Sequence, residues 1–153
     1  MTHSFECPEC GNLRGLIGDC RQCASVSLPV PLSDTIVFNL KHDNPSAEVA
    51  LDRLTNTLRR ASEVGIKAMI LIHGYGASGE GGRIKWAVHD ALENNYFSDR
   101  VDEYHFGEQA AYGSDAYHSL LRRRPGLKVH LKHFKEGNAG MTVLILGSKP
   151  RIA

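Results

Sequence analysis

The stretch Ile70-Leu71-Ile72-His73-Gly74-Tyr75-Gly76-Ala77-Ser78-Gly79-Glu80-Gly81-Gly82-Arg83 decides the reading of this chain. An apolar run ends in a histidine, passes into a glycine-rich loop, and is followed by a helical pattern. Lys67 to Ile72 reads as a buried strand, because a short apolar run bounded by glycines suits a strand covered on both faces. Arg83 to about Asn95 reads as a helix with Ile84, Ala87, Val88, Ala91 and Leu92 turned inward. Such a join brings backbone N–H groups close to an anion, and the helix dipole adds to the attraction. Phosphate is the natural guest, and the plainer alternative is a surface loop that binds nothing. Gly74-x-Gly76-x-x-Gly79 has the spacing of the dinucleotide fingerprint, which needs an acidic residue closing the next strand about 20 residues on. Asp99 and Asp102 fall before or at the start of that strand. An oxidoreductase with a dinucleotide cofactor is therefore disfavoured. Gly81 is followed by Gly82-Arg83 in place of Lys-Ser, which argues against a nucleotide P-loop.

Working outward, Thr35 to Leu40 reads as a strand ending before the Asp43-Asn44-Pro45 turn signal. Ser46 can cap a helix running to about Val64, with Ala47, Ala50, Leu51, Leu54 and Leu58 on its apolar face and Gly65 as its stop. Downstream, Val101 to Phe106 reads as a third strand and Ser114 to Arg124 as a short helix closed by Pro125-Gly126. Lys128 to Phe134 alternates like a half-exposed strand, and Met141 to Leu146 reads as a final buried strand. Helices alternating with strands imply an α/β fold, a two-layer sandwich of a mixed sheet with helices. No internal repeat or low-complexity tract interrupts it.

The chain has 153 residues, 42% hydrophobic and 23% charged, which is ordinary for one globular domain with a small appendage and argues against disorder or a coiled coil. The longest apolar runs fall far short of the roughly 20 residues of a membrane span. Met1 to Cys7 shows no basic-then-apolar pattern, so no secretory signal and a cytoplasmic location are expected. Lys plus Arg is 18 against 17 for Asp plus Glu, so the global charge of +1 names no partner.

All four cysteines lie at the start, as Cys7-Pro8-Glu9-Cys10 and Cys20-Arg21-Gln22-Cys23. Two Cys-x-x-Cys pairs are the ligand set of a tetrahedral zinc ribbon, since a two-residue gap lets both thiolates of a knuckle face one ion. Gly11 supplies the permissive backbone that such a turn often needs. Two disulfides would require an oxidising compartment. A closed four-thiolate site leaves no open position for a substrate, so the expected metal is structural, holding a segment too small to bury its own core. Residues 1–24 are thus read as a zinc ribbon and 25–33, with two prolines and no charge, as an extended linker to a main domain at 34–148.

His73-Gly74-Tyr75-Gly76, placed after the second strand and followed by Gly81 or Gly82 at the second helix, resembles the hallmark of the Smr (small MutS-related) domain. The closing turn and strand, Gly137-Asn138-Ala139-Gly140 and then Met141 to Leu146, is similar to that family's last motif, and the strand–helix–strand–helix order also matches. Residues 107–126 look longer than the family's usual connection and are read as an insertion. Family members usually carry Asp-Leu-His-Gly at the end of the first strand. Here the matching residues are Asn39-Leu40-Lys41-His42, so His42 can stand in for the family's histidine only if the chain has left the strand by then.

The resemblance implies binding of DNA or RNA, often with endonuclease activity. On that basis His73 is the acid/base candidate, its ordinary pKa of about 6.5 suiting proton transfer, with His42 as a second. The amides of Gly74 and Gly76 together with Lys41 and Arg83 would hold phosphate, and Tyr75 could stack on a base. The local charge agrees: His118 to Lys135 carries Arg122, Arg123, Arg124, Lys128, Lys132 and Lys135 and no Asp or Glu. The plain alternative for Arg122 to Arg124 is a favourable helix end at a solvated face. Trp86 is read as a packing residue, and one of His89 and His105 as lying on an exposed helix face. The competing function is a noncatalytic adaptor that keeps the fold without the first motif, with the ribbon binding a protein partner.

Overall fold

The computed structural model describes residues 5–43, 45–74, 82–135 and 140–147. The N-terminal segment forms a three-stranded antiparallel sheet from β1 (Phe5–Glu6), β2 (Leu13–Arg14) and β3 (Val30–Pro31), in the order β2-β1-β3. The stretch expected to be an extended linker therefore contributes a strand to the ribbon. Val30 and Pro31 can do so because β3 is an edge, where a missing N–H is tolerated.

The main sheet comprises β4 (Thr35–Asn39), β5 (Ala68–Ile72), β6 (Val101–Phe106) and β7 (Met141–Leu146), in the order β4-β5-β7-β6. β4 and β5 run parallel, joined through α1 (Ala47–Val64), and β7 lies antiparallel between β5 and β6. The ends of α1 are as expected. The Ser46 hydroxyl accepts from the Val49 N–H at 3.2 Å, a cap worth about 1 kcal/mol. Gly65 takes φ +90°, where a side chain would be strained, and its N–H reaches back to the Ala61 and Ser62 carbonyls.

Two cores lie on opposite faces of this sheet. Met69 and Leu71 of β5 and Leu144 and Leu146 of β7 pack with α1 and with α2 (Gly82–Glu93). Ala68 and Ile70, with Met141, Val143 and Ile145, pack under α3 (Asp115–Arg123), a 3-10 helix (Pro125–His130) and α4 (Leu131–Lys135). The expected sheet-and-helix sandwich is present in the first of these cores, and the second adds a third layer. All six residues of β7 are buried, as the apolar run of a strand covered on both sides should be.

One expected element is replaced. Lys128 to Phe134 is not a strand but the end of the 3-10 helix followed by α4. The alternation of Val129 and Leu131 suggested period two, yet Val129 is 78% exposed. The residues turned inward are Leu127, Leu131 and Phe134, spaced four and three apart as on a helix.

The ribbon sits on the α1 side of the sheet. Phe5 and Leu16 are fully buried within the same core as Leu54 and Leu58. Arg60 of α1 donates to the carbonyls of Leu16 and Gly18 at 3.2 and 3.3 Å. Buried Arg14 donates to the carbonyls of Gly15, Ser27 and Gly18, tying the two ends of the ribbon together.

Candidate functional site

The two Cys-x-x-Cys knuckles are built alike. In the first, the Gly11 N–H donates to the Cys7 carbonyl at 2.9 Å; in the second, the Ala24 N–H donates to the Cys20 carbonyl at 2.7 Å. The residue after each pair has a left-handed backbone, Gly11 at φ +76° and Ala24 at φ +62°. Sequence suggested this for Gly11 alone, since alanine adopts it only against a steric cost. The four sulfurs are free thiols lying within 4.8 Å of one another. Cys7 and Cys23, and likewise Cys10 and Cys20, are 3.7 Å apart. Adjacent thiolates of a tetrahedral site with bonds of about 2.3 Å lie about 3.8 Å apart, so the cluster can hold one metal ion. Its electrostatics ask for a cation. The Cys10 backbone N–H is the chief cause that brings Cys7 down to about 6. Cys23 is pushed up to about 12: the Ser25 N–H acts the other way, but burial and the neighbouring Cys10, Cys7 and Cys20 sulfurs outweigh it. Four thiolates cannot be charged together unless a positive ion sits between them.

The other candidate site lies where β4 and β5 end side by side. Asn39 pairs with Ile72, and the Leu40 N–H continues the ladder to the Ile72 carbonyl at 2.7 Å. The Asn39 side-chain oxygen accepts from the Lys41 N–H at 3.0 Å, turning the chain out of the strand. Exposed Lys41 then runs over Gly74: a Cβ there would stand 3.3 Å from Lys41 Cδ, and Gly74 has φ +76°. The bareness and left-handed backbone of Gly74 thus let a lysine stem cross the strand end. His42 is also exposed, with Nε2 3.5 Å from Asp43 Oδ2. Tyr75 and Gly76 lie outside the described residues.

His73 is not poised at a surface. Period two along β5 sends Met69, Leu71 and His73 to the α1/α2 face, where Thr142 of β7 also points. His73 Nε2 and Thr142 Oγ1 share a hydrogen bond of 2.8 Å, Nδ1 meets the Gly74 carbonyl oxygen at 2.7 Å, and the residue is 1% exposed. Burial pulls its pKa down to about 4, the Gly74 carbonyl opposing and the neighbouring His89 and Lys85 reinforcing. The ring is therefore neutral near pH 7, with both nitrogens occupied.

Behind it stands a group that sequence reasoning missed. On α2 the buried residues are Ile84, Lys85, Val88, His89 and Leu92; Ala91 packs half-buried against the same core as expected, and Lys85 and His89 add an inward flank that was not foreseen. Lys85 Nζ meets Glu108 Oε2 at 3.0 Å. His89 stacks on Phe106 with centroids 3.7 Å apart and lies edge-on to His73 at 5.7 Å. Burial is the main cause lowering its pKa. His89 is thus not on an exposed face, and Trp86, read as packing, is 64% exposed. The inward stripe of Ile84, Val88 and Leu92 was legible; which side of it turned further inward depended on the shape of the partner sheet.

The basic run divides in two. Arg123 is held by Glu103 of β6, with Nη1 to Oε2 at 2.5 Å and Nη2 to Oε1 at 3.1 Å, and His105 adds a contact to Oε1 at 3.1 Å. Arg123 is the leading cause that brings Glu103 down to about 2. Gly126 backs onto Asp34 and Thr35 at the start of β4. Arg122 to Arg124 therefore lie near the starts of β4 and β6, at the opposite end of the sheet from His73 and Gly74. Arg124 donates to the Arg123 carbonyl at 3.0 Å. Arg122, Lys128 and Lys132 are exposed, and Arg83 is exposed in the first turn of α2.

The Smr domain family model matches residues 43–122. The chain belongs to the Smr domain family. The match starts just past Asn39-Leu40-Lys41-His42, the altered first motif, and stops short of α4 and β7. It includes His73, Gly74 and Arg83. Smr domains are known for binding and nicking nucleic acids. No curated protein and no solved structure matches the chain. Among the described residues, no helix is long and apolar enough to cross a membrane.

Proposed function

We propose that this Smr domain binds nucleic acid at the end of β4 and β5, through Lys41, His42 and Arg83; the Gly74 amide expected to hold phosphate is already donated to the Gly140 carbonyl at 3.0 Å, so Gly74 serves the turn and not the ligand. The observation that carries the reading is the crossing of Lys41 over Gly74, which sets an exposed ammonium stem at the glycine turn of a family that handles nucleic acid. Lys128 and Lys132 would extend the contact as solvated charges on a separate face, whereas the Glu103 pair takes Arg123 out of phosphate recognition. His73 then shapes the turn and does not transfer protons at neutral pH, as its burial and paired ring nitrogens favour. The cysteine cluster would hold one zinc ion as a structural staple, given the four-sulfur donor set.

The test is a salt series of binding to single- and double-stranded DNA and RNA. Lys41→Ala and Arg83→Ala should each weaken binding and flatten its salt dependence. Absence of binding at low salt rejects the proposal and leaves the noncatalytic protein adaptor.

A second reading is phosphodiester cleavage, and one observation favours it: exposed His42 has the Asp43 carboxylate beside it, the kind of partner that orients an imidazole. Nicking of supercoiled plasmid that is lost in His42→Ala and kept in His73→Gln would support it. Nicking unaffected by His42→Ala removes His42 from that role.

A further inference from the structure

Trp86 is the single tryptophan of the chain, and it stands out on α2 with most of its surface in solvent. Its surroundings are polarised. Arg83, exposed and three residues earlier, shares its helix face. Lys85 Nζ lies 5.5 Å from the indole centroid, with its charge already met by Glu108. On the other side Trp86 borders a concavity of about 440 Å³ lined by His89, Asp90 and Glu93. His89 in that lining is buried, and its Nε2 has no hydrogen-bond partner among the described residues. That nitrogen is shielded from solvent, so the polar groups open to a ligand here are the exposed Asp90 and Glu93 carboxylates.

These features select one occupant. A phosphate is welcome at Arg83 and repelled at Asp90 and Glu93. A flat, neutral, hydrogen-bonding group fits over Trp86 and toward the acidic side. We infer that Trp86 is a stacking platform for an unpaired nucleobase, whose flanking phosphate is held by Arg83, so that the domain prefers single strands or unpaired loops to duplex. This rests on the nucleic-acid reading above and deepens it. In a duplex the base faces are already covered by their neighbours, so an exposed indole gains nothing there. In a single strand each base face is available, and every base offers one.

The chain supplies its own probe, since all indole emission comes from Trp86. Labelled oligo(dT), oligo(A) RNA and a mixed-sequence duplex are titrated while anisotropy and tryptophan emission are recorded together. The expected result is emission quenched by either single strand, with the same midpoint as the anisotropy curve, and no quenching by duplex. Trp86→Ala should weaken single-strand binding about 5- to 100-fold and Trp86→Phe much less. Arg83→Ala should reduce the salt slope, and Trp86→Ala should not. Being exposed, Trp86 can be replaced without opening a core, and thermal melting of the variants checks this. Binding without quenching, equal quenching by duplex, or unchanged affinity in Trp86→Ala overturns the stacking inference and leaves the phosphate reading standing. Emission that changes with protein concentration alone, without nucleic acid, assigns the face to self-association and overturns it too. No binding of any of the three probes brings down the underlying reading and this inference with it.

Discussion

Acidification should destabilise this domain through His73, by an amount that the structure sets. The buried ring has a pKa of about 4 against an ordinary 6.5, because desolvation disfavours the imidazolium. In the unfolded chain the same ring takes a proton near pH 6.5. Between those values the unfolded state binds more protons than the folded one, so stability is full above about pH 6.5 and falls as the pH drops toward 4. At about 1.4 kcal/mol for each pH unit of the gap, the loss attributable to His73 is about 3 kcal/mol. That is a large fraction of the 5–15 kcal/mol typical of a domain. Urea unfolding across this pH range, for the natural protein and for His73→Gln, measures it. Gln cannot titrate but can still bond both Thr142 and the Gly74 carbonyl. The cysteine cluster is common to both proteins and cancels in the difference, whereas His89, 5.7 Å from His73, is coupled to it, so His89→Gln is measured in both backgrounds to separate its share. The natural protein should lose stability more steeply than the variant between about pH 6.5 and 4. Parallel pH curves would refute the claim that His73 is held neutral by burial.

Three further outcomes are expected. Cys20→Ser should abolish stoichiometric metal binding by elemental analysis and lower the melting temperature, because Phe5 and Leu16 depend on the knuckles for their place in the α1 core. Leu16→Ala in the metal-loaded protein should cost about 2–5 kcal/mol in urea unfolding, the range for a fully buried leucine, although Leu16 lies in the small ribbon. Arg123→Ala should raise the Glu103 pKa, measured by NMR titration, from about 2 toward its ordinary 4.5. The stability that this pair supplies is present above about pH 4.5 and fades as the pH falls toward 2. Both side chains are more than one-third exposed, so the loss at neutral pH should stay below about 1 kcal/mol.

Much of the frame could be read without coordinates. Ser46 and Gly65 bracket α1 because a hydroxyl cap and a left-handed glycine are local requirements of a helix end. Ala68 to Ile72 and Met141 to Leu146 are strands because short, wholly apolar runs suit a sheet covered on both faces. The clustering of the four cysteines was legible because two Cys-x-x-Cys pairs carry their geometry within four residues each. The misreading of Lys128 to Phe134 has a local cause as well: over so short a span, periods of two and of three to four are nearly indistinguishable, and only the sheet face beneath chose Leu127, Leu131 and Phe134.

What the chain alone could not determine is which surface each side chain meets across the fold. His73 is placed by sequence at the end of a strand, but burial in the assembled fold, against groups such as Thr142 from far along the chain, keeps it neutral. Arg123 reads in the sequence as one of a run of cations, and only the fold shows that Glu103, twenty residues earlier, pairs with it. Trp86, read as packing, stands in solvent and the unassigned His89 is buried, because the sheet turns the Lys85–His89 flank of the α2 stripe further inward. Local periodicity determines which elements form, since it is written in neighbouring residues. Burial, pairing and protonation are decided by atoms far apart in the chain, and those meet only once the sheet has assembled.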